Sequence, residues 1–562
     1  SAAAASATGI ALVAVLNATQ LATLETLRRQ LIRPTVLGLQ AANPAITDDD
    51  LVIAWPFTTQ SIGKTLQRVN TDAVARTLGV TNTMLSTGDL GLGLADTADI
   101  YSGQMLAVPF FLADSGGNVN STAPLTTFWA ADTGALDNVN PPALGGAVPC
   151  GALAPPVSTT LCYPKPLPRD PQDLPLLVTV PNAESGQTKP TLGWPVVIFQ
   201  HGITGKRTQM LAIGPTLASA GFVTVAIDLP LHGILTTDSD AGFRQADFER
   251  TFDLDLINNT TGDPVPDTVT DTSGTHFINL ASLIVSRDNL RQAVADLIHL
   301  TRSVGSLDYD GGGADIDSDR IYFVGHSLGG IVGTTLLGVN TEIQAATLTN
   351  PGGGIAKLLD ASFSFGPRIA AGLAGNLVFE GSDTYETFQR FAQQLTDPGD
   401  PINYAVAARA NHPIHLIEVI GDTVVPNSAI STCPDPLPAG IASTILADAV
   451  AALRTACAGN ATQDQTTITG FLSGTDPLIA QMALDIVGPL TVPIAEDDRA
   501  GPDLGVAVRF ANGNHGSILN PAGSATNAAV TCEMQRQTAT FLITGGTVLP
   551  IGGTCPTLVI VP

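Results

Sequence analysis

The chain has 562 residues, of which 44% are hydrophobic and 13% are charged, a composition typical of a globular protein and not of a disordered one. Its length exceeds what one ordinary compact core accommodates, so we expect two or more domains, or one domain with long insertions. The formal net charge of -25, from 50 acidic and 25 basic residues, argues against nucleic acid as a partner, because a phosphate backbone would be repelled.

The opening segment, SAAAASATGIALVAVLNA, is small and apolar, but it lacks the leading Met and the basic segment of a signal peptide. We therefore expect it to be part of the folded chain, with any export signal or lipid-bearing cysteine upstream. No stretch reaches the roughly 20 uninterrupted apolar residues that a bilayer crossing needs. Attachment to an outer-membrane surface would then depend on that upstream segment.

Residues 1–150 are predicted to form an N-terminal accessory region without residues that indicate chemistry. Apolar residues at helical spacing predict helices, and continuous apolar runs predict strands. The predicted elements are a helix from Leu21 to Leu31, a strand at 51–59, a helix at 61–75 and a strand at 105–112 that Pro109 interrupts.

From residue 151 to 562 strands alternate with helices, which is typical of an α/β domain with a mostly parallel sheet. The predicted strands lie at 175–181, 195–200, 222–228, 320–325, 345–350, 414–421 and 505–510. Three long insertions interrupt this pattern, at about 234–284, 351–411 and 427–500. Loops of this length commonly form lids or the walls of a binding site. The second insertion is predicted to contain two amphipathic helices.

The six cysteines fall into three close couples. Sequence cannot choose among all possible pairings, but the spacing favours one disulfide within each couple. Because no CxxC or Cys/His cluster has metal spacing, zinc is a poor explanation. Disulfides are typical of an oxidising compartment, so we expect a secreted or cell-surface protein. The predicted disulfides are Cys150–Cys162, Cys433–Cys457 and Cys532–Cys555.

Gly325-His326-Ser327-Leu328-Gly329 is a G-x-S-x-G element between a predicted strand and a helix of small, apolar residues. In a nucleophile elbow of this kind the serine lies on a sharp, strained turn that exposes its hydroxyl. The two glycines permit the close approach of neighbouring backbone. Ser327 is therefore the predicted nucleophile, and a helix N-cap serine is the alternative.

A serine nucleophile needs a general base, and the chain has eight histidines. His515 follows the last predicted strand, in FANGNHGSIL, which places it at the carboxyl edge of the sheet. In this type of fold the chain order is serine, acid, histidine, and His515 fits that order. His326 lies inside the elbow, and a loop-capping role is the alternative for His515.

The acid is expected at a strand end between the serine and the histidine. VIGDTVVP supplies Asp422 directly after a predicted strand, where it would orient His515 and stabilise its charged form. Glu418 is less suitable because it lies within the strand. The aspartates between 497 and 503 precede a strand, and a solvated acidic loop explains them better.

The negative charge that develops on a carbonyl oxygen in the transition state needs preorganised N–H donors. One predicted donor is the backbone amide of Leu328, directly after the nucleophile. The other is the amide of Ile203, in the His201-Gly202-Ile203 element that follows the strand PVVIFQ. Together these two amides would form an oxyanion hole.

The motifs VIFQHGI, VGHSLGG, GDTVVP and GNHG occur in this order, and with them the sequence resembles the bacterial extracellular or virulence-factor lipases of the α/β-hydrolase superfamily. The stretches at 54–62 (AWPFTTQSI) and 107–130 (AVPFFL and PLTTFWA) resemble that group's N-terminal region. The resemblance implies an α/β-hydrolase fold with lid insertions, lipase or carboxylesterase activity on acyl esters, and export or surface display. Carried over by position, it also implies the triad Ser327, Asp422 and His515 and the oxyanion amides of Ile203 and Leu328.

The predicted function is hydrolysis of carboxylic esters with apolar acyl groups through an acyl-enzyme. The apolar composition and the insertions extend this hypothesis to lipids, phospholipids and polyesters. Thioesterases, acyltransferases and peptidases use the same residues, because a fold does not fix a substrate. A non-catalytic surface binding protein on the same scaffold is the alternative from another class. With no Gly-rich phosphate loop, dinucleotide fingerprint or metal cluster in the sequence, no cofactor and no metal are predicted.

Overall fold

The structure is a computed structural model, and it describes residues 25–26, 29, 33–47, 60–137, 142–143, 146–147, 150, 156–429, 473–491 and 493–553. The chain divides into two compact units. The smaller unit comprises residues 1–61 and 132–164, and the larger comprises residues 62–131 and 165–562.

Most of the extended chain belongs to one ten-stranded sheet in the larger unit. Two short pairs, β3 with β4 and β12 with β14, stand outside it. In chain order the strands are β1 (Leu78–Ser86), β2 (Ala98–Val108), β3 (Pro142–Ala143), β4 (Gly146–Ala147), β5 (Gln172–Pro181), β6 (Trp194–Gln200), β7 (Val223–Ile227), β8 (Ile316–His326), β9 (Ile343–Thr349), β10 (Ile414–Val419), β11 (Asp485–Leu490), β12 (Arg499–Ala500), β13 (Gly505–Phe510) and β14 (Val548–Leu549).

The α-helices range from single turns to helices of 21 residues. In chain order they are α1 (Arg33–Ala42), α2 (Lys64–Asp72), α3 (Ala123–Thr126), α4 (Gly214–Ser219), α5 (Leu283–Ser303), α6 (Leu328–Val339), α7 (Ile355–Ala361), α8 (Gly366–Ala374), α9 (Asp383–Thr396), α10 (Ala405–Asn411), α11 (Thr475–Gln481) and α12 (Ala525–Ile543). Across the described part of the chain, no helix is long and apolar enough to cross a membrane.

The large sheet has the order β1-β2-β5-β7-β6-β8-β9-β10-β13-β11. In this order, every pair of neighbouring strands from β7 onwards is parallel. The pairs β1–β2, β2–β5 and β5–β7 are antiparallel. A mostly parallel sheet needs crossover connections, and helices supply them here. With the strand β8 leading through a serine turn into α6 at its centre, this is the α/β-hydrolase fold that the sequence predicted.

Apolar side chains cover both faces of the sheet, because successive residues of a strand point to opposite faces. In β6, Val196 and Ile198 pack into one hydrophobic cluster, and Val197 and Phe199 pack into another. A strand that is buried on both faces has a continuous apolar sequence, which is why PVVIFQ predicted a strand. Helix α5 is buried over most of its length and contributes to the first cluster.

The strands predicted after residue 150 are all present, and β13 has the predicted bounds of 505–510. Strand β8 is longer than predicted and begins at Ile316. Strand β11, within the third insertion, was not predicted. Its sequence DIVGPL contains Gly488 and Pro489, two residue types that are depleted in strands.

The observed division of the chain differs from the boundary predicted at residue 150. Strands β1 and β2 extend the large sheet through the pairing of β2 with β5, so residues 62–131 belong to the larger unit. Strand β2 ends at Val108 because Pro109 has no backbone N–H to donate. The helix predicted at 61–75 corresponds to α2. The strand predicted at 51–59 and most of the helix predicted between Leu21 and Leu31 lie outside the described residues.

The second insertion contains four α-helices, α7 to α10, where two were predicted. Helices α7 and α8 are short, so their apolar spacing repeats too few times to be recognised. The first insertion consists mainly of turns and loops. Residues 430–472 of the third insertion lie outside the described residues.

One of the predicted disulfides lies in the smaller unit, where Cys150 is bonded to Cys162. Cys532 is also disulfide-bonded. Its predicted partner, Cys555, lies outside the described residues, as do Cys433 and Cys457.

Candidate active site

The turn between β8 and α6 holds Ser327 in a strained backbone conformation. Ser327 has φ 55° and ψ −119°, a region that residues with side chains rarely adopt. A Cβ added at Gly325 would lie 2.5 Å from the carbonyl oxygen of Gly329, and one added at Gly329 would overlap the carbonyl oxygen of Gln200. The backbone packing therefore requires glycine at both positions of the G-x-S-x-G element.

Ser327, Asp422 and His515 follow β8, β10 and β13, which lie within four neighbouring strands of the sheet. Because these strands are parallel, the three residues lie at the same edge. The amide of Ser327 donates to the carbonyl of Thr349 (2.8 Å), at the end of β9. Nδ2 of the next residue, Asn350, donates to the carbonyl of His515 (2.8 Å). The end of β9 thus connects the serine turn to the histidine loop.

His515 and Asp422 are in direct contact, with 2.6 Å between Nδ1 and Oδ2. The other carboxylate oxygen, Oδ1, accepts the backbone N–H groups of Val424 and Val425 at 2.8 and 3.1 Å. The Asp422 side chain is only 1% exposed. A buried carboxylate that is bonded at both oxygens fixes the imidazole ring and leaves its Nε2 for another partner.

Ser327 lies at this edge without a hydrogen bond to the histidine–aspartate pair. Within the described chain, no hydrogen bond joins Ser327 to His515. The ring of His326, next to the serine, lies 5.1 Å from the ring of His515, measured between centroids. Contacts between catalytic groups are often long in structures without substrate and shorten when substrate binds. The structure therefore brings Asp422 and His515 together and holds Ser327 near them.

Four other histidines have surroundings that indicate a structural role and not a catalytic one. Burial lowers the pKa of His299 to about 4 and that of His415 to about 3, so both rings are neutral near pH 7. His412 contacts the carbonyl oxygen of Ile343 at 2.7 Å. His276 forms a second histidine–aspartate contact (2.7 Å to Asp271), but this pair lies within the first insertion.

The loop after β6 passes directly against the serine. A Cβ added at Gly202 would lie 2.9 Å from Cβ of Ser327 and 3.4 Å from its Oγ. Ile203 and Leu328 both line the cavity at Ser327. Leu328 is the first residue of α6, where an amide has no partner within its helix. In the described part of the chain, neither of these two amides donates to a protein acceptor, so both are available as the predicted oxyanion donors.

His232, to which the sequence analysis assigned no role, supports this loop. Its Nε2 accepts the N–H of Thr204 (3.2 Å), and its Nδ1 donates to the carbonyl of Pro230 (2.8 Å). Thr204 has φ 60°, which is unusual for a β-branched residue. Burial and the neighbouring His201 lower the pKa of His232 to about 3, so the ring stays neutral and Nε2 remains an acceptor. The position of His232 just after β7, the strand beside β6, is the signal that could have identified it.

A buried ion cluster lies next to the same loop. Arg207 pairs with Asp228 and Glu249, and these three side chains are at most 1% exposed. The amide of Arg207 also donates to Asp228 (2.6 Å), and Nε2 of His201 lies 3.6 Å from the same carboxylate. Buried charges are costly unless they are paired, so this arrangement tolerates little movement. It fixes both ends of the loop that carries Ile203.

Ser327 faces an apolar cavity with about 900 Å³ of empty space, part of it open to solvent. A concave, mostly apolar lining with a few polar groups is typical of small-molecule sites. The walls come from α5, α6 and three helices of the second insertion, α7, α8 and α9, which we call the cap helices. Representative wall residues are Leu290, Ile331, Leu359, Ile369 and Phe388.

One acidic cluster in the described chain, Asp308, Asp310 and Asp315, has the spacing of possible metal ligands. Lys189 pairs with Asp310 and Asp315, and Asp315 also accepts the N–H of Tyr309 at 2.7 Å. The lysine charge and these hydrogen bonds account for the carboxylates. The cluster therefore does not indicate a metal site.

Comparison with known proteins gives one family match and many similar folds. Residues 176–234 match the family model described as platelet-activating factor acetylhydrolase, isoform II. This match spans β5 to the loop after β7 and is too short to place the chain in that family. No curated protein matches the chain.

Among solved structures, a protein named as a dienelactone hydrolase from Klebsiella pneumoniae subsp. pneumoniae is 15% identical, with a TM-score of 0.31. The similarity covers 66% of this chain and 94% of that one. Acetyl xylan esterase 1 from Thermoanaerobacterium sp. is 12% identical, with a TM-score of 0.34, over 66% of this chain and 86% of that one. Neither similarity bears on the substrate.

The strand order and the turn at Ser327 decide the fold. The chain has the α/β-hydrolase fold. The family match supports hydrolase activity in general terms. It does not test the resemblance to bacterial lipases, which stays a prediction.

Proposed function

We propose that this α/β-hydrolase is a serine carboxylic-ester hydrolase of the lipase or carboxylesterase type, acting on esters with apolar acyl groups. The observation that carries the proposal is the strained turn that holds Ser327 at the mouth of an apolar cavity, at the same sheet edge as the contact between His515 and Asp422. A serine, a base and a group that orients the base are what nucleophilic catalysis requires.

In the proposed acylation step, Oγ of Ser327 attacks the ester carbonyl carbon while its proton passes to Nε2 of His515. The carbonyl electron pair moves to the oxygen, where the N–H groups of Ile203 and Leu328 donate to it. Asp422 stabilises the imidazolium through its contact with Nδ1. Collapse of the intermediate breaks the ester C–O bond, and the leaving alkoxide takes the proton from His515 to become the alcohol.

In the proposed deacylation step, water attacks the acyl carbon and gives its proton to His515. The second intermediate collapses, the bond to Oγ of Ser327 breaks, and the proton returns from His515 to that oxygen. The carboxylic acid leaves and the enzyme is restored. No cofactor is consumed, because each proton is transferred within the site.

The apolar walls of the cavity support an apolar acyl group over a charged or strongly polar one. Burying a methylene group in such a site stabilises the complex by about 0.8 kcal/mol. The disulfide between Cys150 and Cys162 supports a location outside the cytoplasm. We therefore propose that the enzyme is exported and works on extracellular esters.

The proposal is tested by assaying p-nitrophenyl esters of several chain lengths with the wild type and with Ser327→Ala. Removing the nucleophile is expected to abolish hydrolysis and labelling by a fluorophosphonate probe. Ser286→Ala is the matched control, because Ser286 also lines the cavity but its hydroxyl is bonded to Asn279. Equal rates for wild type and Ser327→Ala would reject the proposal. A wild type that neither hydrolyses esters nor reacts with the probe would favour a non-catalytic binding protein.

A further inference from the structure

The cavity at Ser327 has four polar residues among its otherwise apolar walls, and they differ in their hydrogen bonding. Ser286 donates to the carbonyl of Asn279 (3.1 Å) and accepts the N–H of the same residue (2.8 Å). Thr396 donates to the carbonyl of Ala392 (2.9 Å), one turn earlier in α9. Ser327 is the proposed nucleophile. Only Gln389 has no role in the proposed chemistry and no bond that explains it.

Gln389 lies on α9 and is 3% exposed. Within the described chain, its side-chain amide makes no hydrogen bond. Buried polar groups are almost always hydrogen-bonded, so a nearly buried amide without a protein partner is unusual. The amide of Gln389 is therefore available to hydrogen-bond with a ligand.

Gln389 also lines a second, more polar cavity on the other side of α9. That cavity has charged residues in its walls, among them Lys357, Glu386 and Arg390. Gln389 thus stands where the apolar cavity meets a polar one. A ligand that extends from Ser327 along the apolar walls meets its first unbonded polar side chain there.

We propose that the cavity binds an acyl chain that carries a hydrogen-bonding oxygen, such as a hydroxyl group, and that Gln389 recognises this oxygen. The inference rests on the proposed esterase function and deepens it by naming the substrate class, esters of hydroxylated acyl chains. An amide can both donate and accept, and a hydroxyl group matches both roles. A plain alkyl chain fills the same walls but leaves the amide of Gln389 without a partner.

The test uses p-nitrophenyl esters of one acyl length, unsubstituted or with a hydroxyl group at successive carbons. For the wild type, we expect a preference for esters whose hydroxyl group lies at one region of the acyl chain. Their kcat/KM should exceed that of the unsubstituted ester by about five- to tenfold, the value of one hydrogen bond. Gln389→Met, which keeps the length and removes the amide, is expected to abolish this preference, so that kcat/KM becomes similar for the hydroxylated and the unsubstituted esters. Thr396→Val is the matched control, because its hydroxyl is bonded within α9, and it should keep the preference.

The possible results separate this inference from the proposed function. The inference would be overturned, with the esterase function intact, if the wild type hydrolyses esters but prefers no hydroxyl position. It would also be overturned if a preferred position exists and Gln389→Met keeps it. Absence of ester hydrolysis by the wild type would overturn both. If Gln389→Met does not fold, the wild type alone tests the inference. Equal kcat/KM for every hydroxyl position and for the unsubstituted ester would contradict it.

Discussion

The sheet edge at Ser327 and the cap helices border the same cavity but are held by different forces. At the edge, directional polar contacts fix each group, such as the pair of His515 with Asp422 and that of His232 with Thr204. The cap helices meet the cavity with apolar side chains and leave others, such as Phe391 and Leu395, exposed to solvent. Hydrogen bonds depend strongly on geometry, whereas apolar contacts depend mainly on the area buried. The edge is therefore suited to fixed chemistry, and the cap to a variable acyl chain.

Substitutions at the sheet edge should lower turnover for all esters by the same factor. Substitutions in the cap helices should change which acyl chain is preferred and affect turnover of short esters little.

The largest effect is expected for Asp422→Asn. The amide keeps the shape of the side chain but cannot stabilise the charged His515, and turnover should fall about 10⁴-fold, by analogy with serine proteases. Measured kcat for short and long p-nitrophenyl esters should fall by one common factor. Asp503→Asn is the control, because that side chain is 59% exposed and pairs with Arg409 away from His515. Near-wild-type turnover in Asp422→Asn would place the acid elsewhere.

A smaller effect, about 10²-fold in kcat, is expected for His232→Leu. Without the acceptor for the N–H of Thr204, the loop loses a contact that holds the Ile203 amide in place, and small displacements of catalytic groups have costs of this size. His232→Gln should recover much of the loss, because its Oε1 can occupy the position of Nε2 and accept the same N–H. Equal turnover in the Leu and Gln variants would mean that His232 does not position the loop. Thermal unfolding of both variants separates a loop effect from loss of the fold.

The sequence predicted what depends on local pattern. Ser327 lies in a motif whose glycines are required by backbone packing within a few residues, and the strands around it are continuous apolar runs. Asp422 and His515 could be assigned because parallel strands bring their carboxyl ends to one edge, so that chain order and strand ends locate the residues.

The remaining features depend on which distant segments become neighbours. Asn350 reaches the loop of His515 only because β9 lies beside β10, and His232 reaches Thr204 only because β7 lies beside β6. Strand β2 joins the large sheet through a register that pairs Met105 with Leu174, which no local pattern encodes. The assignment of residues 62–131 to the accessory region differed from the structure for this reason.

The smallest effect is expected in the cap, for Phe388→Ala. Phe388 lines the cavity and packs with the small apolar cluster of the cap around Ile369 and Tyr385, so truncation enlarges the space for the acyl chain. The preferred chain length should increase, with a change of about three- to tenfold in the ratio of kcat/KM between long and short esters, since each buried methylene contributes about 0.8 kcal/mol. Phe391→Ala, on the same helix but with a side chain that is 59% exposed, should leave the ratio unchanged. A fall in kcat for every ester alike in Phe388→Ala would show that the cap acts on the chemistry and would remove the distinction between the two regions.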